Sequence, residues 1–218
     1  MIYCKYNSKE EINMKRFLIF ILAAAMLTSL ASCAPAPEPE FTLGTVVGNV
    51  YENSFIGIGC TLGSEWTYYS EDQIREINNA AADLAGEDYQ KMMESATVVY
   101  DMYAAHSNQI NTVVVNLEKV DKVQLAVLDL EENFKNTIPT LEQSLGNMGF
   151  TNITSELGTV KLGGTDMTCL NVVSEIGTFK MYQTIVAIKC NGYLACITFS
   201  GDSTESIDSA LSNFYWLE

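Results

Sequence analysis

The chain holds one histidine, at position 106, and only 12 basic residues among its 218. A single histidine excludes a multi-histidine metal centre, and no Cys-x-x-Cys pair is present to build a zinc or thioredoxin-like site instead. Three of the four prolines crowd into positions 35–39, so the remainder has one breaker of this kind, Pro139. No apolar run reaches the ~20 residues a membrane-crossing helix needs. The longest, Phe17–Leu30, is already interrupted by Thr28 and Ser29. Also missing are a Gly-x-Ser-x-Gly elbow, a His-Glu-x-x-His helix and a Walker loop, which leaves the common hydrolase and nucleotide motifs without a foothold.

What the N-terminal region does contain is an export pattern. Lys15 and Arg16 supply a positive start, Phe17–Leu30 the greasy core, and Leu30-Ala31-Ser32-Cys33 the small-residue cleavage site of a bacterial lipobox. This predicts a signal peptide over 14–32 and a mature chain that begins at lipid-modified Cys33. A buried acyl methylene is worth about 0.8 kcal/mol, so two or three chains on Cys33 would hold a domain stably at the extracytoplasmic face of the cell membrane. Residues 1–13 are polar and read either as a start-site artefact or as an extended n-region. Residues 33–41 form the lipidated cysteine and a Pro-rich tether, Ala34-Pro35-Ala36-Pro37-Glu38-Pro39-Glu40, of extended character at roughly 3 Å per residue. Positions 42–218 read as a single domain, with no second linker and no internal repeat.

From Cys33 onward the chain carries 8 basic and 25 acidic residues, a net charge of −17. Such a field repels nucleic acid and keeps an exported domain soluble. Four cysteines remain in the domain: Cys60, Cys169, Cys190 and Cys196. An even count in an exported chain leaves a disulfide open, but each lies in an apolar stretch where a thiol behaves as a small hydrophobe. Buried free thiols are the favoured reading.

Hydrophobic period and turn chemistry lay out the elements. Thr45–Tyr51 and Phe55–Leu62 read as a hairpin about Glu52-Asn53-Ser54, with Trp66–Tyr69 continuing as a short strand. Ser70 and Gln73 form a capping box for a helix burying Ile74, Ile77, Ala81 and Leu84, stopped by Gly86. Asp88–Glu94 adds a further helical turn. Val98–Ala105 and Thr112–Leu117 form a second hairpin around His106-Ser107-Asn108-Gln109. A long helix follows through Val127, Leu130, Phe134, Ile138, Leu141, Leu145 and Met148, kinked or divided at Pro139 and stopped at Gly149. Gly163-Gly164 and Asn191-Gly192 then make two tight turns of a strand meander. The first sets Lys161 opposite Asp166. The second pairs Cys190 with Tyr193 and Ala187 with Cys196, which sends Cys190 and Cys196 to opposite faces. A last helix from Asp202 or Ser203 buries Ile207, Ala210, Leu211 and Phe214. The fold class is α+β, a mainly antiparallel sheet flanked by helices.

The order of these elements resembles the PsbP-like α/β/α sandwich family over about 41–218. The N-terminal hairpin Val50-Tyr51-Glu52-Asn53-Ser54-Phe55-Ile56-Gly57-Ile58 leads to the tryptophan strand Trp66-Thr67-Tyr68-Tyr69-Ser70. A capped helix, a hairpin and a long helix ending Leu145-Gly146-Asn147-Met148-Gly149-Phe150 follow. The resemblance implies a non-catalytic partner-binding domain. It transfers no binding residue, since no motif of the family is diagnostic, and the acidic lipoprotein setting departs from the photosynthetic and nuclear members.

Few residues offer chemistry. His106 sits in a polar turn without a nucleophile nearby in sequence. Gly57-Ile58-Gly59-Cys60-Thr61-Leu62-Gly63 imitates a dinucleotide loop, but close strand packing accounts better for its glycines. The acids Glu71, Asp72, Asp129, Glu131 and Glu132 fall on outer helix faces. Trp66, Tyr68 and Tyr69 cluster in one strand and Tyr100 and Tyr103 in a neighbouring one. Alternate members of that set fill a core, or else Trp66, Tyr68, Tyr69 and Tyr103 form a recognition surface. The expected function is a cell-envelope lipoprotein binding an unknown protein or cell-wall ligand, with no cofactor, no metal and no catalytic residue. An envelope hydrolase using scattered acids and a small-molecule carrier are the alternatives.

Overall fold

Antiparallel pairing accounts for every strand contact in the structure, a computed structural model that describes residues 41–82 and 98–218. The lipobox with Cys33, the tether, the helix end at Leu84 and Gly86, the turn expected over Asp88–Glu94 and the side chain of Ala81 lie outside the described residues. In chain order the elements are β1 (Thr45–Val47), β2 (Val50–Asn53), β3 (Ile58–Thr61), β4 (Trp66–Tyr68), α1 (Glu71–Ala82), β5 (Val98–His106) and β6 (Thr112–Lys119). There follow α2 (Lys122–Val127), α3 (Leu130–Asn147), β7 (Thr151–Leu162), β8 (Thr165–Ile176), β9 (Phe179–Cys190), β10 (Tyr193–Gly201), α4 (Thr204–Leu211) and β11 (Phe214–Trp216).

The strands form two sheets. A seven-stranded sheet runs in the order β4-β5-β6-β10-β9-β8-β7, and a four-stranded sheet in the order β1-β2-β3-β11. One face of the large sheet (Val99, Val115, Leu117, Ala195, Ile197, Phe199) meets the small sheet and α4. The other face packs α3 onto Leu170, Val172, Ile185 and Ala187, and α1 onto Tyr100 and Tyr103. The α+β class and the flanking helices are as expected. The second flank, however, holds a small sheet as well as a helix.

The meander follows its turn residues closely. Asn191 and Gly192 both take positive φ (43° and 85°), as a type I′ turn requires. The register then pairs Cys190 with Tyr193 and Ala187 with Cys196. Lys161 faces Asp166, with the ammonium 2.7 Å from a carboxylate oxygen. Cys190 therefore packs on the small-sheet side and Cys196 on the helix side, and all four domain cysteines are free thiols. The capping box also forms, Ser70 N donating to Gln73 Oε1 at 2.9 Å and Gln73 N to Ser70 Oγ at 3.4 Å.

Four expectations are corrected. Thr45–Tyr51 is not one strand, because Gly48 at φ 63° folds it into the β1–β2 hairpin, and the following turn spans 54–57. Trp66–Tyr68 leaves the first hairpin and becomes the edge of the large sheet. The long helix divides at Leu128 and Asp129 rather than at Pro139. Asp129 caps α3 by accepting from Glu132 N at 3.0 Å, whereas Pro139 sits inside a continuous helix on its exposed side. Val127 accordingly lies on α2 and is 79% exposed, and Leu130 is only half-buried. Phe214, finally, is buried from β11 and not from a helix: the chain turns after α4 and pairs Phe214, Tyr215 and Trp216 with Cys60, Gly59 and Ile58. Gly59 lets the Tyr215 ring lie close over β3, since a β-carbon would stand 2.7 Å from that ring.

Phe134 is 1% exposed at the centre of the α3 contact with the sheet. Phe134→Ala is expected to cost about 3–5 kcal/mol in denaturant unfolding. A loss under about 0.5 kcal/mol would show that α3 is not seated on this sheet.

Candidate functional site

The aromatic residues singled out by the sequence do not share a face. Trp66 and Tyr68, two apart on β4, turn toward the core between the sheets, and Trp66 lies edge-on to His106 with centroids 5.2 Å apart. The Tyr68 hydroxyl donates to Asn49 O at 3.2 Å and touches Cys60 Sγ at 3.4 Å, tying β4 to the small sheet. Tyr69 points the other way and packs on Tyr103 at 4.2 Å, beneath α1. Tyr103 is 5% exposed. Burial pushes the Tyr68, Tyr100 and Tyr103 phenols well above their ordinary range. These rings are joined to the core on both sides of the sheet.

Two buried carboxyls escaped the sequence reading. Asp101 is the extra residue of a β-bulge between Tyr100 and Met102 on β5. It accepts from Gly44 N at 2.7 Å, from Asn53 Nδ2 at 2.6 Å and from the Tyr51 hydroxyl. Full burial raises the Asp101 pKa, against the opposing pull of its three donors, and also raises that of Tyr51. The network is closed to solvent and links the two sheets. Glu118 lies on β6 between Val98 and Leu194, 8% exposed on the helix-bearing face, and burial pushes its carboxyl up to about 7. The periodicity gave no sign of either, because an acid in an apolar strand is read as an outward residue.

A cleft lies elsewhere among the described residues, between the β7–β8 turn, the end of α4 and the start of β11. It is an open cleft of ≈400 Å³ lined by Thr159, Lys161, Gly163, Asp208, Ser212 and Phe214 among others. That volume falls in the range of small-molecule sites. Trp216 stands beside this lining rather than in it: it lies against Gly163, where a β-carbon would meet the indole Cδ1 at 2.8 Å. The indole N–H donates to Thr165 Oγ1 at 3.1 Å, which fixes the ring. Lys161 is held by Asp166, an exposed pair of small energetic value. The Ser212 hydroxyl donates to Ser209 O at 2.7 Å. Hydroxyls, one carboxylate and one ammonium thus border an apolar floor of Val160, Leu211 and Phe214, with the fixed indole beside it. The aromatic run Phe214-Tyr215-Trp216 was the available sequence signal, hidden because it read as the tail of a helix. Among the described residues, no group of three or more His, Cys, Asp and Glu is placed to hold a metal ion.

Glu118 makes stability depend on pH. The folded state retains a proton that the unfolded chain releases near 4.5, so its contribution is full below that pH and is lost as pH rises through about 7. At about 1.4 kcal/mol per unit the loss is at most ~3.5 kcal/mol, less where solvent reaches the carboxyl. Glu118→Gln, which cannot titrate, is expected to flatten the decline in unfolding free energy between pH 4.5 and 7. Parallel slopes for the two proteins would show that Glu118 is not the titrating group.

No protein-family model matches the chain, and no curated protein matches it. Among solved structures, the chain is similar to LpqN, involved in cell envelope biogenesis of Mycobacterium tuberculosis, with a TM-score of 0.40 and 12% identity over 74% of this chain and 83% of that one. It is also similar to a protein from Bacteroides thetaiotaomicron VPI-5482, with a TM-score of 0.38 and 9% identity over 74% of this chain. The match spans 46% of the Bacteroides protein, slightly under half its length. No residue role passes from either.

Proposed function

We propose that the chain is a cell-envelope lipoprotein, acylated at Cys33 on the extracytoplasmic face of the membrane, whose domain binds a saccharide-bearing envelope ligand without reacting with it. The observation that carries this reading is the cleft beside Trp216. The hydroxyls of Thr159 and Ser212, the Lys161 ammonium and the Asp208 carboxylate offer hydrogen-bond partners to a polyhydroxylated ring, and the Trp216 indole, fixed by Thr165, stands beside them against Gly163. Asp208 is the cleft's one lining carboxylate among the described residues, whereas glycoside hydrolysis ordinarily needs two. His106 belongs to the β5–β6 end of the sheet, on elements that do not line the cleft. The resemblance of the element order to PsbP-like binding domains points the same way, and the lipobox supplies the address.

Two measurements test the two halves of this reading. Cys33→Ala is expected to move the protein from the membrane to the soluble fraction; retention of the variant on membranes overturns the anchor. Calorimetric titration with soluble disaccharide–peptide fragments of peptidoglycan is expected to show binding that Trp216→Ala and Asp208→Asn each weaken by roughly tenfold. Equal affinities in all three proteins would remove the cleft from consideration.

A further inference from the structure

We infer that the corner formed by α2 and the β9–β10 turn is a membrane-contact surface that seats the domain on anionic lipid headgroups; this rests on the lipoprotein reading above. Two valines one helical turn apart, Val123 and Val127, are 73% and 79% exposed, while Leu125 on the same helix is buried. Exposed large apolar side chains at i and i+4 form a single apolar strip. Basic residues surround it in a chain that is otherwise strongly acidic. Lys119, Lys122 and Lys189, three of the seven Lys and Arg in the described stretches, all belong to this corner.

Local contacts hold them there. Lys119 is in register with Tyr193. The Lys122 stem runs 3.5 Å from where a Gly192 β-carbon would stand, and Val120 N donates to Gly192 O at 2.9 Å. Lys189 Nζ donates to Leu128 O at 2.7 Å. The corner also carries acids: Asp121 and Asp129 accept from backbone N–H groups at the starts of α2 and α3, and the exposed Glu131 and Glu132 follow in the first turn of α3, Glu131 paired with Lys135 at 2.6 Å. Lysine stems carrying ammonium heads around a bare valine strip suit the headgroup and upper acyl layer of an anionic bilayer.

The place where the chain enters the domain selects a bilayer over other occupants. Phe41 stacks on Tyr193 at 5.0 Å and meets Phe55 edge-on at 5.3 Å. Tyr193 follows directly on the turn residues Asn191 and Gly192, and Asn191 Nδ2 donates to Phe55 O at 3.1 Å. The domain's first residue is therefore fixed at this same corner, and Phe41 lies only eight positions after Cys33. Even fully extended, that length spans about 25–30 Å, so an acylated Cys33 would keep this corner within reach of the membrane. Val47, also strongly exposed at 77%, is in the β1–β2 hairpin at the opposite end of the small sheet and provides a control.

The test uses the acylated full-length protein in phosphatidylethanolamine–phosphatidylglycerol vesicles whose acyl chains carry bromine. Val127→Trp is expected to add fluorescence that the brominated lipid quenches at least twofold, beyond the signal of Trp66 and Trp216. Val47→Trp is expected to add fluorescence that is not quenched. Replacing Lys119, Lys122 and Lys189 by Glu together, in the Val127→Trp background, is expected to abolish the quenching while the protein still sediments with the vesicles. Sedimentation without quenching at position 127, or equal quenching at 47 and 127, overturns the contact surface and leaves the anchor intact. Failure to sediment overturns the anchor instead. The surface is then judged on Cys33→Ala carrying the same tryptophan, where absence of quenching at millimolar lipid overturns it and quenching there supports it.

Discussion

The buried carboxyl of Asp101 is the constraint around which the two sheets are arranged. Moving a carboxyl out of water costs several kcal/mol unless donors replace the solvent. Here three residues from two segments supply them: Gly44 from the chain entry, and Tyr51 and Asn53 from β2. Asn53 also accepts from Phe55 N and Ile56 N, so the same residue that satisfies the acid shapes the β2–β3 turn. The bulge that aims Asp101 at the small sheet has a second effect. It shifts the alternation of β5 so that Tyr100 and Tyr103, three positions apart, both face α1. In a regular strand they would lie on opposite faces. Removing the acid would leave three buried donors without an acceptor, which is more costly than the bond energies alone suggest.

The rest of the core is conventional apolar burial on a sheet covered on both sides. β9 and β10 are buried along nearly their whole length, as expected of central strands. Cys60, Cys169 and Cys196 take part as small hydrophobes. Burial raises the thiol pKa of Cys60 to about 11 and that of Cys190 to about 12, which keeps both protonated and unreactive at neutral pH. Pairing of β11 with β3 joins the last described strand to one of the first, so the small sheet is complete only when the C-terminal residues have docked.

How much of this was legible in the residues depended on whether the signal was local. Asn191-Gly192 dictates a turn whose geometry fixes the register of two strands, and Ser70 with Gln73 dictates a helix start; both could be read directly. The division of the helix was misread because Pro139 is the louder breaker. Its position on the solvent side of α3 makes the lost hydrogen bond tolerable, whereas Asp129 caps a new helix from a residue that looks ordinary in sequence. The inward direction of Asp101 and Glu118 was invisible, since a bulge or a buried acid is set by distant partners. Trp216 was concealed for the same reason: Phe214 fits a helical spacing after Leu211, and only pairing with β3 reveals the strand. The aromatic cluster of β4 was found, but which side each ring faces was decided by tertiary packing.

The cleft and the valine–lysine corner are linked by the topology of the meander. The turn at Gly163-Gly164 joins β7 to β8, that at Gly177 joins β8 to β9, and that at Asn191-Gly192 joins β9 to β10. Antiparallel strands reverse at every turn, so the first and third of these lie at the same end of the sheet. Pairing of β8 with β9 ends at Cys169 and Val186, so the two turns share one end of the sheet without being held at a fixed strand spacing. A domain seated through α2 and the β9–β10 turn would hold the Trp216 cleft close to the headgroup layer and not at the far pole. Saccharides carried on lipids, or glycan strands running along the bilayer surface, would then meet the cleft with little reach required of them. The charge fits the same arrangement: a net −17 from Cys33 onward opposes an anionic bilayer, and three of the seven basic residues in the described stretches gather at this corner, so the charge distribution favours one resting orientation.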